Sequence, residues 1–174
     1  MKISLIAACD KNRLIGVDGK MPWQDDPAMR EDLKRFKAIT LGHAVVMGGR
    51  TKESLGTMFP LPGRKNMVLS TKEKQGTHKG KGFYHSTDVE SVIDYLTGGG
   101  VKECFFMGGQ EVFKEGLKYA DTVYLTELDG TYDGIDQSSK RYFPVLNKNE
   151  WQLVRAERIQ GVPCSFMVYT RTHP

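Results

Sequence analysis

The chain reads as an α/β protein in three layers. A central, mostly parallel sheet of about eight strands carries helices on both faces and closes with a C-terminal antiparallel hairpin. Three observations predict this. Short apolar, β-prone runs alternate with segments of helical period along the chain. Two of those runs end in Gly-Gly and lead into helical segments, at Gly48-Gly49 and Gly108-Gly109. The last two runs, residues 151–159 and 165–171, flank the turn Gly161-Val162-Pro163, as the arms of a hairpin do.

Lys2–Cys9 is an apolar run and is expected as a core strand. Residues 10–19 carry Asp, Asn and Gly and read as a loop. Asp26-Pro27 has the residue types of an N-cap and a first helical position. Met29, Leu33, Phe36 and Thr40 then share one helical face, with Asp32 beside it. Residues 44–47 form the next strand, and a short helix starts at Thr51. Residues 66–70 and 82–85 are two further strands. Val89, Val92, Ile93 and Leu96 have helical spacing, closed by Gly98-Gly99-Gly100. Residues 103–107 read as a buried strand, Val112, Phe113 and Leu117 mark a helix, and residues 122–128 are a strand. No internal repeat or low-complexity linker interrupts this order.

A chain of 174 residues suits a single domain spanning 1–174 and is long enough to bury a core without staples. Its 39% hydrophobic and 26% charged residues fit a globular protein rather than a disordered one. Cys9, Cys104 and Cys164 lie apart in apolar runs without a CxxC pair, so they are expected as buried thiols in a reducing compartment. The first apolar run is too short for a signal sequence or a membrane span, and a cytoplasmic location is expected. The net charge of +4 is scattered. The densest basic stretch, residues 72–81, lacks the interleaved aromatics of a nucleic-acid platform, so it reads as a solvated loop. Neither nucleic acid nor membrane is expected as a partner.

Asp32 is the most informative residue. It follows Met21-Pro22-Trp23 and opens an Asp-Leu-Lys-Arg-Phe-Lys turn, an acid amid apolar and aromatic side chains. Burial there would raise its pKa and suit it to hold and protonate a nitrogen heterocycle. On this stretch alone, a solvated surface aspartate is an equal alternative. The two Gly-Gly turns allow close approach of a ligand to the backbone and offer helix N-termini to an anion, so together they could share a dinucleotide's pyrophosphate. Taken singly, each is more simply a tight turn. Arg50 and Ser70-Thr71 could hold a further phosphate, and Arg64 could grip a carboxylate; ordinary surface positions explain each as well. No GxGxxG follows the first strand, and HExxH, GxSxG and phosphate-loop patterns are absent. The four histidines lack ligand spacing, and no metal site is expected.

In register, these segments resemble dihydrofolate reductase almost end to end. The resemblance runs through Ile3-Ser4-Leu5-Ile6-Ala7-Ala8, Ile15-Gly16, Met21-Pro22-Trp23, Asp32-Leu33 with Phe36-Lys37, and Val46-Met47-Gly48. It continues through Thr51 with Glu53-Ser54, Leu61-Pro62-Gly63-Arg64-Lys65-Asn66, Gly108-Gly109, Leu125-Thr126, Phe143-Pro144 and Trp151. The resemblance implies reduction of 7,8-dihydrofolate by NADPH. In that reading Asp32 and Thr126 hold the pterin and support protonation of N5, with Met21 and Trp23 beside the reacting rings. Ile6, Leu33, Phe36, Leu55, Leu61, Met107 and Phe113 pack the substrate, and Arg64 pairs with its glutamate carboxylate. Ala8 lines the cofactor from the first strand, and Ile15, Gly16, Lys20 and Met21 line it from the loop of residues 10–24, which acts as a lid. Gly49, Arg50, Thr51, Leu69, Ser70 and Thr71 line it from one Gly-Gly turn and the strand beside it. Gly108, Gly109, Gln110, Glu111, Val112 and Phe113 line it from the other turn. The resemblance also implies sensitivity to antifolates, and a monomer is the simplest assembly.

The chain departs from that family pattern in places. Gly49 stands where a basic residue is frequent, with the charge at Arg50, which bears on the preference for NADPH over NADH. Residues 24–31 are longer than the compact pattern and bring Asp25, Asp26 and Glu31 near the pocket mouth; the Leu33–Phe36 spacing selects Asp32. Residues 132–142 are long and polar and read as a surface loop. Lys52 replaces a frequent aromatic, which implies looser packing behind the cofactor. Two other readings stay open. A pyrimidine reductase of riboflavin synthesis shares the sheet and the Gly-Gly turn but not the set of Asp32, Phe36 and Arg64. A non-catalytic folate- or dinucleotide-binding module is disfavoured by the cost of an unused buried acid.

Overall fold

Strands this rich in Val, Ile, Leu and Phe must be covered on both faces, and they are in the computed structural model, which describes residues 1–72, 76–78, 82–132 and 139–172. In chain order the elements are β1 (Lys2–Cys9), β2 (Leu14–Val17), α1 (Pro27–Thr40), β3 (Ala44–Gly48) and α2 (Gly49–Leu55), which runs into a 3-10 turn over Gly56–Met58. They continue with β4 (Lys65–Leu69), β5 (Gly76–His78), β6 (Phe83–Ser86), α3 (Val89–Gly98), β7 (Glu103–Phe106) and α4 (Gln110–Leu117). The chain closes with β8 (Thr122–Leu128), β9 (Lys140–Tyr142), β10 (Trp151–Arg158) and β11 (Cys164–Arg171).

Nine strands form one sheet in the order β10-β11-β8-β1-β7-β3-β4-β6-β5. The run from β8 to β6 is parallel, while β10, β11 and β5 add antiparallel pairings at the two sides. The two faces separate by alternation. Ile3, Leu5, Val46 and Phe106 meet α3 and α4 through Val92, Leu96, Val112 and Phe113. Ile6, Val45, Met47, Val68 and Phe105 meet α1 through Phe36 and Ile39. This is the three-layer α/β arrangement that the alternating pattern predicts, with the C-terminal hairpin paired Trp151↔Arg171 to Arg158↔Ser165.

The structure differs from the sequence reading in four places. The sheet has a ninth strand, the three-residue edge strand β5, inside the basic stretch 72–81; residues 73–75 and 79–81 of that stretch lie outside the described residues. The segment 10–19, expected as a loop, contains β2, and the segment 132–142 contains β9; the two pair antiparallel as a small second sheet. Residues 133–138 lie outside the described residues. The first helix begins as expected, with the Asp26 carboxylate accepting from Ala28 N at 2.8 Å and Pro27 in the first turn, but Leu33 is 47% exposed. Phe36 and Ile39 are the α1 residues packed on the sheet, and Leu33 is not among them. Finally, α2 starts at Gly49, ahead of Thr51.

The three cysteines are free and buried, and burial pushes the Cys9 and Cys104 thiols up to about 12. Among the described residues, no helix is long and apolar enough to cross a membrane.

Candidate active site

In open parallel sheets, ligands sit beyond the carboxyl ends of the strands, and several of the residues singled out above lie there. Ala8 near the end of β1 lies opposite Thr126 of β8, which lies opposite Phe166 of β11. Gly48 ends β3 opposite Leu69 of β4, and Met107-Gly108 follows β7.

Asp32 sits in the second turn of α1, facing β8. Burial pushes its carboxyl pKa up; hydrogen bonding from the Thr126 hydroxyl and the charge of Arg35 pull the other way without cancelling the rise. Two of the three neighbouring acids are otherwise engaged, and Asp25 is exposed. Asp26 caps the helix and accepts from the Tyr132 hydroxyl at 3.2 Å, and Glu31 pairs with Lys34 at 2.6 Å. Thr126 is 1% exposed and Asp32 is half-buried above it.

The apolar wall beside this acid is continuous. Ile6 and Leu61 are buried in one cluster, with Phe36, Leu55 and Met107 packed against it. Five of the side chains expected to pack a substrate therefore meet on the α1 face of the sheet. Leu33 is outside that cluster, and Phe113 belongs to the opposite face, where its ring lies against Gly108 and makes an edge contact with Phe143 at 5.0 Å. Arg64 borders the wall. Its Nη1 donates to Thr40 Oγ1 at 3.2 Å, its Nε to Pro62 O at 3.2 Å, and its guanidinium lies 5.6 Å from the Phe36 ring centroid. Partial burial lowers its pKa, and among the described residues no carboxylate pairs with it. Such a cation is placed to take an acidic group from a ligand.

The two Gly-Gly turns are joined: Gly48 N donates to Gly108 O at 2.8 Å. A Cβ at Gly48 would stand 3.3 Å from Val112 Cγ2, and one at Gly108, whose φ is +119°, 3.3 Å from the Phe113 ring. Thr51 Oγ1 borders Gly108 and Gly109, and Ser70 borders Gly49. Gly48 caps α2 and Gly109 caps α4 without a side chain, so the first N–H groups of both helices are left for another acceptor. This cradle fits a dinucleotide's pyrophosphate. Other expected cofactor contacts are placed differently. Arg50, Thr71, Lys20 and Glu111 are exposed at the surface. Glu111 pairs with Lys114 at 3.0 Å, Gln110 Oε1 accepts from Tyr142 N at 2.8 Å, and Ser70 Oγ accepts from Lys72 N at 3.1 Å. Leu69 and Ile15 pack against the core on the α3 and α4 face.

The segment 10–24 is anchored from within. Asp10 is fully buried; Oδ1 accepts from Asn12 N at 2.9 Å and Leu14 N at 2.8 Å, and Oδ2 from Tyr132 N at 3.1 Å. Ala8 and Met21 pack on the cluster of Trp23, Ala28, Leu128 and Cys164. Trp23 is 1% exposed, and its indole N–H has no hydrogen-bond partner among the described residues. A Cβ at Gly16 would stand 3.3 Å from Lys20 O, so this part of the segment folds closely on itself. Lys52 does not leave its site loosely packed, since its ammonium sits 4.7 Å from the Phe83 ring centroid and 5.8 Å from that of Phe59.

Sequence reasoning missed Arg35, Asp10 and Tyr132. Asp10 heads an Asp-x-Asn pattern that signals a side-chain-to-backbone turn. Arg35 carries no local signal.

The family model described as dihydrofolate reductase matches residues 2–171. The dihydrofolate reductase of Bacillus subtilis (strain 168) is 38% identical over 157 residues, covering 90% of this chain and 83% of its own. That of Neisseria meningitidis serogroup A is 34% identical over 175 residues, covering 98% and 99%. A dihydrofolate reductase type 3 of Salmonella typhimurium is 35% identical over 176 residues, again covering 98% and 99%. With the acid, the apolar wall and the paired glycine turns in place, the chain belongs to the dihydrofolate reductase family of oxidoreductases.

Proposed function

We propose that this protein reduces 7,8-dihydrofolate to 5,6,7,8-tetrahydrofolate with NADPH, in support of one-carbon and thymidylate metabolism. The observation that carries this reading is the Asp32 carboxyl. It is raised in pKa by burial, stands beside Thr126 and lies next to the apolar wall of Ile6, Phe36, Leu55 and Leu61.

When bound, the nicotinamide cofactor supplies the hydride that goes to C6 of the pterin. The residues of the chain bind, orient and manage the proton. Asp32 holds the pterin's ring nitrogen and exocyclic amine and, because its pKa is raised, supports protonation of N5. Thr126 steadies that carboxyl, and the Trp23 indole N–H, which has no partner among the described residues, is available to a bound water or substrate atom. Ile6, Leu33, Phe36, Leu55, Leu61 and Met107 exclude water around the rings. Arg64 takes the glutamate carboxylate. The cradle of Gly48, Gly49, Thr51, Gly108 and Gly109 holds the pyrophosphate, with Ser70, Thr71 and Arg50 toward the adenosine phosphate. Ala8, Ile15, Gly16, Lys20, Met21 and Phe113 border the nicotinamide side. Antifolates, which mimic the pterin, are expected to compete at Asp32.

The test is the loss of NADPH absorbance on adding dihydrofolate, with NADH, Asp32→Asn and Arg64→Leu in parallel. Asp32→Asn is expected to lower turnover by about 10²-fold or more with little change in NADPH affinity. Arg64→Leu is expected to raise KM for dihydrofolate and not for a pterin lacking the glutamate tail. Comparable turnover by Asp32→Asn at neutral pH would refute the role of the acid. An equal loss on both pterins would refute the Arg64 contact.

A further inference from the structure

Arg35 lies one helical turn beyond Asp32, on the same side of α1. Its environment is unusual for a cation on an amphipathic helix. The guanidinium is drawn in against the sheet rather than into solvent. Nη1 donates to Leu125 O at 3.0 Å and to Thr126 Oγ1 at 3.2 Å, and Nη2 donates to Met167 O at 3.1 Å. Its plane covers the Phe166 ring at 4.4 Å from the centroid. The accepting residues stand side by side in the sheet, since Met167 pairs with Leu125 and Phe166 with Thr126.

We propose that Arg35 is a positioning residue for Asp32: it clamps β8 to β11 beneath the acid and fixes the Thr126 hydroxyl as a donor to the carboxylate. The reasoning is stereochemical. A hydroxyl has one proton and two lone pairs. Arg35 has no lone pair to offer and can only donate, so its contact occupies an acceptor site on Thr126 Oγ1. The hydroxyl proton is then left for Asp32, and the nearby positive charge polarises it in that direction. The guanidinium thus reaches the carboxyl through Thr126 rather than by a direct ion pair. A lysine at this place would keep the charge and lose the three-way fork.

The electrostatics agree with the geometry. Arg35 opposes the rise that burial imposes on Asp32, and Asp32 in turn favours the charged form of Arg35. The other titratable groups facing the pair are Tyr124 on β8, Arg155 and Glu157 on β10, and Cys164 on β11. Arg155 and Glu157 pair with each other at 2.7 Å on the exposed strand, which leaves Arg35 the cation that acts on Asp32.

The proposal rests on the role assigned above to Asp32, so its test has one readout that needs no turnover. The ¹³Cγ resonance of Asp32, assigned by its loss in Asp32→Asn, is titrated in the full-length protein without substrate. This is done for the wild type, Arg35→Met and Arg35→Lys. Arg35→Met removes the charge and the fork and is expected to raise the Asp32 pKa by about one unit. Arg35→Lys is expected to stay closer to the wild type. If Arg35→Met does not fold, Arg35→Gln, which keeps a donor and loses the charge, is expected to shift in the same direction. In the second readout, reduction of dihydrofolate is followed against pH. The fall in rate with rising pH is expected to move upward in Arg35→Met, so the variant's deficit shrinks as pH increases.

An unchanged Asp32 titration overturns the proposal whatever the activity, leaving Arg35 as a structural brace. A shifted titration without a matching shift in the rate profile also overturns it. A shifted titration in a protein whose wild type does not reduce dihydrofolate upholds the link between the two residues while refuting the proposed function.

Discussion

At the scale of single residues, Asp32 trades stability for chemistry. Its folded pKa lies above the ordinary aspartate value because burial disfavours the charged form. The sign follows from linkage: the native state binds this proton more tightly than the unfolded chain. The group's contribution is therefore most favourable below the unfolded aspartate pKa and is lost as pH rises through the folded one. Asp32→Asn, which carries no charge at any pH, is expected to melt above the wild type at neutral pH. The gain should be about 2–4 °C, the size of a 1 kcal/mol change in a chain of this length. It should vanish in acid. Calorimetry across that range checks both parts, and a variant less stable at neutral pH would refute the assignment. Asp32 was legible in the sequence because its signal is local, an acid set among apolar neighbours behind a capped helix start. Arg35 was not. Arginine on a helix is ordinarily solvated, and the carbonyls that draw this one inward lie 90 and 132 residues away.

At the scale of elements, the long strands and the helices α1, α3 and α4 were legible because each carries its own period or cap. Asp26-Pro27 is the clearest case, and the Asp88 cap of α3, which accepts from Ser91 N at 2.7 Å, works in the same way. The strands that escaped notice are β2, β5 and β9, of four, three and three residues. None is long enough to display a period, and β2 and β9 are defined by each other across more than a hundred residues of chain. Packing is close where α4 crosses β7. There a Cβ on Gly116 would come within 2.7 Å of the Phe106 ring, which is fully buried and cannot retreat. Gly116→Ala, although favoured by helix propensity, is expected to destabilise the fold by about 1–3 kcal/mol. Urea unfolding would measure it, and a neutral or stabilising outcome would show that α4 can shift away from the sheet.

At the scale of the whole molecule, the sequence announced two Gly-Gly turns but not that they touch. Their meeting depends on strand order: β7 inserts between β1 and β3, which brings Gly108, just past the end of β7, beside Gly48. Long-range order of this kind has no local signature. The same holds for the partnership between the segments 10–24 and 132–143. Beyond the β2–β9 pairing, Phe143 N donates to Arg13 O at 2.8 Å, Arg13 Nη1 donates to Phe143 O at 2.7 Å, and Tyr132 N donates to the buried Asp10. The described ends of the long polar segment, at Tyr132 and at residues 140–143, therefore hold the segment that the family resemblance marks as a lid. If these contacts break together, amide deuterium uptake at Leu14, Tyr132 and Phe143 should share one rate. Saturating NADPH should slow all three together. Independent rates would mean that these contacts release in pieces; a common rate would make a surface substitution near residue 142 a remote control on how long product stays bound.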